Sequence, residues 1–239
     1  MPFPYYYGFD WSYLLLVLPF LILSLLASAH VNNTFRRYNK QLSVRRITGA
    51  QAAQRVLLAN GVTGVRIEQV AGNLTDHFDP RANVIRLSSE VYNNTSTAAI
   101  GVACHEAGHA VQYAQSYFPI KIRSAIIPLT NFGSKIAMPL ILIGVLMTAF
   151  GGLSSILIDI GIVCFSLSLV FQLVTLPVEF NASRRAMNAI EQCNILTDDE
   201  QRGARKTLTA AAMTYVAATA VALTQLLRLI LLFGRRRRD

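Results

Sequence analysis

The sequence predicts a mainly α-helical membrane protein that carries a small cytoplasmic α+β domain. Three observations carry the prediction. Of the 239 residues 53% are hydrophobic, and the excess is gathered into long runs. Lys and Arg concentrate between those runs, in the manner that sets membrane topology. Residues 30–135 are mixed enough to fold in water and hold the cap and turn signals of ordinary helices and strands.

An apolar stretch of about 20 residues is long enough to cross a bilayer. Trp11 to Ala29 is one such run, Ile136 to Leu176 is long enough for two, and Ala210 to Phe233 is another. Ala27, Ser28 and Ala29 imitate a signal-peptidase site, but residues 1–10 hold no Lys or Arg, so the run reads as a retained anchor. Arg36, Arg37, Lys40, Arg45 and Arg46 follow it directly, which puts the N-terminus outside and the next segment in the cytoplasm. The middle run turns back near Gly151, Gly152, Ser154 and Ser155. The last run ends in Arg235 to Arg238; if it spans, these lie outside against the charge rule, and if it packs on the membrane surface they meet anionic lipid. The expectation is three spans plus this helix, in a multi-pass protein of the cytoplasmic membrane. The segments are an anchor (1–29), a cytoplasmic domain (30–135), a transmembrane hairpin (136–176), a helical segment (177–207), and an apolar helix with a basic tail (208–239).

The net charge of +9 has no aromatic-interleaved basic stripe, which argues against nucleic acid as a partner. Cys104, Cys164 and Cys193 are scattered, so neither a disulfide framework nor a thiolate zinc site is expected.

Within the polar segment, Thr48 and Gln51 form a capping box for a helix running to Asn60, with Gly61 at its C′ position. Val65 to Val70 alternates as a strand, Gly72 and Asn73 mark a turn, and Asn83 to Leu87 reads as a second strand. The stretch TDHFDPR between them reads as a connection, with Asp76 and Asp79 in Asx turns around Pro80. On this reading Asn83 to Leu87 has a free edge on which an extended peptide substrate can pair. Ser96 or Thr97 caps a helix that continues to about Tyr117, with Gly108 as a mild defect.

That helix carries His105, Glu106 and His109. Residues four apart lie on one helical face, so both imidazoles reach one metal ion. This is the H-E-x-x-H arrangement, in which two imidazoles bind Zn²⁺ and the glutamate takes a proton from the water that the metal activates. A catalytic zinc site has three protein ligands and an open position, and no histidine follows His109. The third ligand is therefore a carboxylate: Asp159, Glu179, Glu191 or the Asp198, Asp199, Glu200 cluster. Asp159 falls toward the outer side, and the cluster reads as a solvated helix start capped by Thr197. Glu179 is the best choice, because Pro177 suits a first helical turn whose Glu179, Ser183, Ala186 and Ile190 share one face. Glu191 remains open. His77 is a candidate oxyanion donor, with Tyr215 and Arg184 as alternatives.

The chain resembles the YugP-like membrane zinc metallopeptidases, and more distantly HtpX-type proteases and the CAAX prenyl proteases. The likeness rests on TDHFDPRANVIRLS, AAIGVACHEAGHAVQ and PVEFNASRRAM and covers nearly the whole chain. It implies a zincin-like fold of the gluzincin type, with His105, His109 and Glu179 as zinc ligands and Glu106 as base. Relatives often carry an aspartate close to the third ligand, where this chain has Asn181 and Ser183; these can hydrogen-bond an imidazole without adding charge.

The leading function is a membrane-anchored zinc endopeptidase with its site facing the cytoplasm, its partners being peptide or protein substrates, membrane proteins among them, and the bilayer. The alternative is a zinc-stabilised membrane scaffold or adaptor, against which the intact Glu106 argues, since a structural site is usually four-coordinate and needs no base. An intramembrane protease is disfavoured, because only about seven apolar residues precede His105 and Asp159 lacks the glycine context of such sites.

Overall fold

The computed structural model describes residues 11–73, 75–148 and 151–234, so the expectations for residues 1–10 and for Arg235 to Arg238 lie outside the described residues. A π-helical turn, Tyr13–Val17, leads into α1 (Leu18–Tyr38), followed by α2 (Gly49–Ala59), β1 (Arg66–Val70), β2 (His77–Asp79), β3 (Val84–Ser88) and α3 (Ser89–Tyr92). Then come α4 (Thr97–Ala114), α5 (Phe118–Leu146), α6 (Gly152–Gln192) and α7 (Asp198–Phe233).

Among the described residues four helical stretches are long and apolar enough to cross a membrane: Tyr13–Tyr38, Phe118–Leu146, Gly152–Gln192 and Asp198–Phe233. The run with the ambiguous topology thus belongs to a helix that qualifies as a span. The chain divides into two compact units. One holds residues Met1–Leu26, Ile122–Leu176 and Tyr215–Asp239; the other holds Ala27–Lys121 and Pro177–Thr214. The boundaries read from the sequence at 135/136 and 207/208 fall inside α5 and α7, because one helix continues across each change in hydropathy.

The apolar unit shows outward-facing Leu23, Leu25, Leu26, Leu142, Leu146, Ile156, Val163 and Leu173, the surface a hydrocarbon solvent would cover. Glycines bring its helices close: a Cβ at Gly161 would sit 2.9 Å from the Ala137 carbonyl oxygen, and one at Gly144 2.9 Å from that of Ser154.

The second unit is built on α2, α4 and the sheet. Thr48 and Gln51 form the capping box of α2, and Gly61 follows its end at φ +66°, as the sequence implies. Among the described residues the sheet has three strands, not two, in the order β1-β3-β2. β1 runs parallel to β3 and β2 antiparallel to it, with Phe78 opposite Ile85. β3 is therefore central and has no free edge, which overturns its reading as the strand that holds a substrate. The connection TDHFDPR supplies the missing strand because Phe78 packs edge-on against Tyr113 of α4, at 5.9 Å between ring centroids. Asp79 does make the expected turn, accepting from the Arg81 and Ala82 amides, while Asp76 instead accepts from the Ser88 amide and hydroxyl.

Two further expectations are corrected. Pro177 lies inside α6 and does not start a helix. Glu200 is buried and bridges the amides of Thr197 and Val44, so the acidic cluster at the start of α7 is only partly solvated.

Candidate metal centre

The site grows from α4. Ser96 caps the helix by accepting from the Ala99 amide, and 14 of its 18 residues are buried. Such burial is feasible because the helix is made of small residues. At Gly108 an added Cβ would lie 2.7 Å from the Ala182 carbonyl oxygen of α6, and at Gly101 3.2 Å from the Ala204 Cβ of α7. Gly108 is therefore no defect: only glycine lets the backbones of α4 and α6 approach this closely. That approach brings Glu179 to the two histidines.

His105, His109 and Glu179 each offer a ligand atom, and these atoms all lie within 4.8 Å of one another. Glu179 Oε2 is 3.3 Å from His105 Nε2 and 3.6 Å from His109 Nε2. Ligands about 2.0–2.1 Å from a tetrahedral zinc are about 3.3 Å apart, so the donor set and its spacing fit this metal. Glu191 is exposed and outside the cluster. Glu179 is 2% exposed, which excludes a solvated helix-start role. Burial pushes its carboxyl upward, but the adjoining imidazoles override this and hold it below the ordinary carboxylate range.

The far nitrogens of the imidazoles are engaged too. Ser183 Oγ lies 3.1 Å from His105 Nδ1, and Gln112 Oε1 lies 3.1 Å from His109 Nδ1. Gln112 is fully buried, and its amide nitrogen donates to the Val178 carbonyl (2.8 Å) and to Asn181 Oδ1 (2.9 Å). Its oxygen must therefore accept from His109, which puts the proton on Nδ1 and the lone pair of Nε2 toward the metal position. Asn181 in turn accepts from Arg185 Nε at 2.7 Å. Gln112 went unnoticed in the sequence, although its position three residues after His109 on the same helix was a usable signal.

Glu106 is 8% exposed. Burial pushes its carboxyl up to about 7; the charges of Glu179 and Asp76 act in the same direction, while His105 and the Phe78 amide, which donates to it, act against. A carboxylate poised near neutrality suits a general base. Cys104 is a buried thiol held well above its ordinary value by burial, an inert packing residue.

His77 is not brought into the cluster. It is exposed on β2, its Nδ1 lies 2.8 Å from the Thr75 carbonyl oxygen, and it sits opposite Arg86 in register. Its neighbour Phe78 faces α4, so strand alternation turns His77 to the other face.

A family model described as "Putative neutral zinc metallopeptidase" matches residues 13–234. The chain is 44% identical over 221 residues to the "Putative membrane protease YugP" of Bacillus subtilis (strain 168), covering 92% of this chain and 96% of that protein. No solved structure matches. With the metal-ligand geometry in place and the model spanning nearly its whole length, the chain belongs to this neutral zinc metallopeptidase family.

Proposed function

We propose that the protein is a membrane-anchored zinc endopeptidase of the gluzincin type, with His105, His109 and Glu179 holding the metal and Glu106 as general base. The observation that carries this reading is the convergence of two imidazole Nε2 atoms on one carboxylate, beside a second carboxyl pushed up to about 7. When bound, zinc polarises a peptide carbonyl and makes water nucleophilic near neutral pH. Glu106 accepts the proton of the attacking water and passes it to the amine that leaves when the C–N bond breaks. Ser183 and Gln112 hold the imidazoles in orientation.

β2 is an edge strand, and its Phe78 amide donates to Glu106. An extended peptide pairing along that edge is held beside the base; N-methylation of alternate substrate amides then slows cleavage, and an unchanged rate would remove β2 from this role.

The site-bearing unit faces the cytoplasm, since Arg36 and Arg37 close α1 and Arg45 and Arg46 follow. A maleimide that cannot cross membranes should label Asn60→Cys only after permeabilisation; labelling in intact cells would reverse the orientation.

The deciding experiment is zinc per chain and peptide cleavage in detergent-purified protein. About one zinc in the wild type, marked loss in Glu179→Ala, and full zinc without cleavage in Glu106→Gln are expected; general-base removal costs about 10²–10⁴-fold. No zinc in a folded wild type would favour the scaffold, and full activity in Glu106→Gln would sink the mechanism.

A further inference from the structure

α6 and α7 enclose a cleft of about 330 Å³ that the metal chemistry does not use, within the same compact unit as the metal centre. Its walls include Ser183, Arg184 and Asn188 from α6 and Arg205 and Thr209 from α7, with Phe180 and Leu208 among its apolar surface. The cleft adjoins the metal centre through Ser183, which lines it and also holds His105 at Nδ1. Its charge is one-sided: two arginines line it and no acid does. The neighbouring arginine shows the contrast. Arg185 is engaged by Asn181, Gln115 and the ring of Tyr117, whereas among the described residues Arg184 and Arg205 make no ion pair or hydrogen bond.

Two solvent-exposed arginines lining one cleft, with hydroxyl and amide groups beside them, suit a carboxylate, since the planar guanidinium fork matches its two oxygens. The apolar wall accommodates the aliphatic part of the chain that carries it. We propose that this cleft is a substrate subsite, and that the peptides cleaved carry a carboxylate, an acidic side chain or the chain's own C-terminus, within a few residues of the scissile bond. The proposal rests on the peptidase reading of the metal centre and adds the substrate class to it.

The test uses zinc-loaded, full-length Glu106→Gln protein in detergent and neutral-dye-labelled hexapeptides of Ala and Leu. Each peptide is made with or without one Glu and with a free or amidated C-terminus. A carboxylate should tighten binding about tenfold, the scale of one charge-assisted contact at an open site. Arg184→Gln/Arg205→Gln should erase that difference while zinc content stays the same. The Glu-amide and free-acid peptides separate the side chain from the C-terminus as the source. Equal binding of acidic and neutral peptides, or discrimination that survives both substitutions, overturns the proposal. So does an effect confined to retention on phosphatidylglycerol vesicles, which would make the cleft a lipid-headgroup site. Wild-type protein that cleaves none of the peptides, while the Glu106→Gln form still discriminates, counts against the peptidase reading and reduces the cleft to a carboxylate-binding site; cleavage without discrimination keeps the peptidase reading and overturns the subsite.

Discussion

His105 and His109 are one turn apart on the same helix and aim Nε2 at the same carboxylate, yet they are held in different ways. His109 is fixed by Gln112, a buried amide whose own nitrogen is committed to Val178 and Asn181. His105 is held by Ser183, a hydroxyl able to donate or accept, whose residue also lines an open cleft. One imidazole has its tautomer imposed by a closed network; the other has a partner that adapts. A metal held by these residues would meet a rigid half, which sets the geometry, and a compliant half that adjoins a groove.

The largest effect that would break the comparison is at Gln112. Gln112→Leu leaves the buried His109 Nδ1–H without an acceptor and removes the side-chain donor to the Val178 carbonyl, at a stability cost of about 1–3 kcal/mol. Zinc affinity should fall about 100-fold, the upper end for loss of a group that orients a ligand. Competition against a chelating dye reads this directly; a change under threefold would show that the network does not orient His109.

Ser183→Ala should cost only about tenfold in the same assay, because the groove lets water replace the hydroxyl. Ser183→Asp should reverse the sign, a carboxylate making His105 more basic and the metal tighter. Equal losses in Gln112→Leu and Ser183→Ala would erase the asymmetry.

A third expectation concerns pH. In the proposed mechanism Glu106 must be ionised to accept a proton, and burial pushes it up to about 7. A nearby metal cation favours the charged form, so the acid limb of kcat/KM should fall at or below about 7, with activity lost as pH drops through it. Glu106→Asp should retain that limb and Glu106→Gln should have no activity to titrate.

The smallest effect lies outside the metal centre. Asp79 is held down to about 2 from 3.8, first by the Arg86 hydrogen bond. A depressed carboxyl contributes stability above its unfolded value that disappears as pH falls from about 4 to about 2. Asp79→Asn should shift acid unfolding slightly within that window and leave zinc binding unchanged; a loss of zinc would mean that the β2 turn supports the site.

Much of this protein follows from sequence alone, for local reasons. The cap of α4, the capping box of α2, the glycine after it and the H-E-x-x-H spacing all depend on residues within one or two turns of each other, and the apolar runs need only composition. Glu179 could be ranked first among the acids because it shares a helical face with small residues, although Pro177 turned out to lie within a longer helix. What only the tertiary structure decided are the contacts between distant segments. β2 exists because β3 and Tyr113 stabilise three residues of weak strand propensity, which makes β3 central. Gly108 matters because of Ala182, and Gln112 because α6 brings Val178 and Asn181 to it. These depend on how closely two helices pack, and no periodicity in either helix specifies that distance.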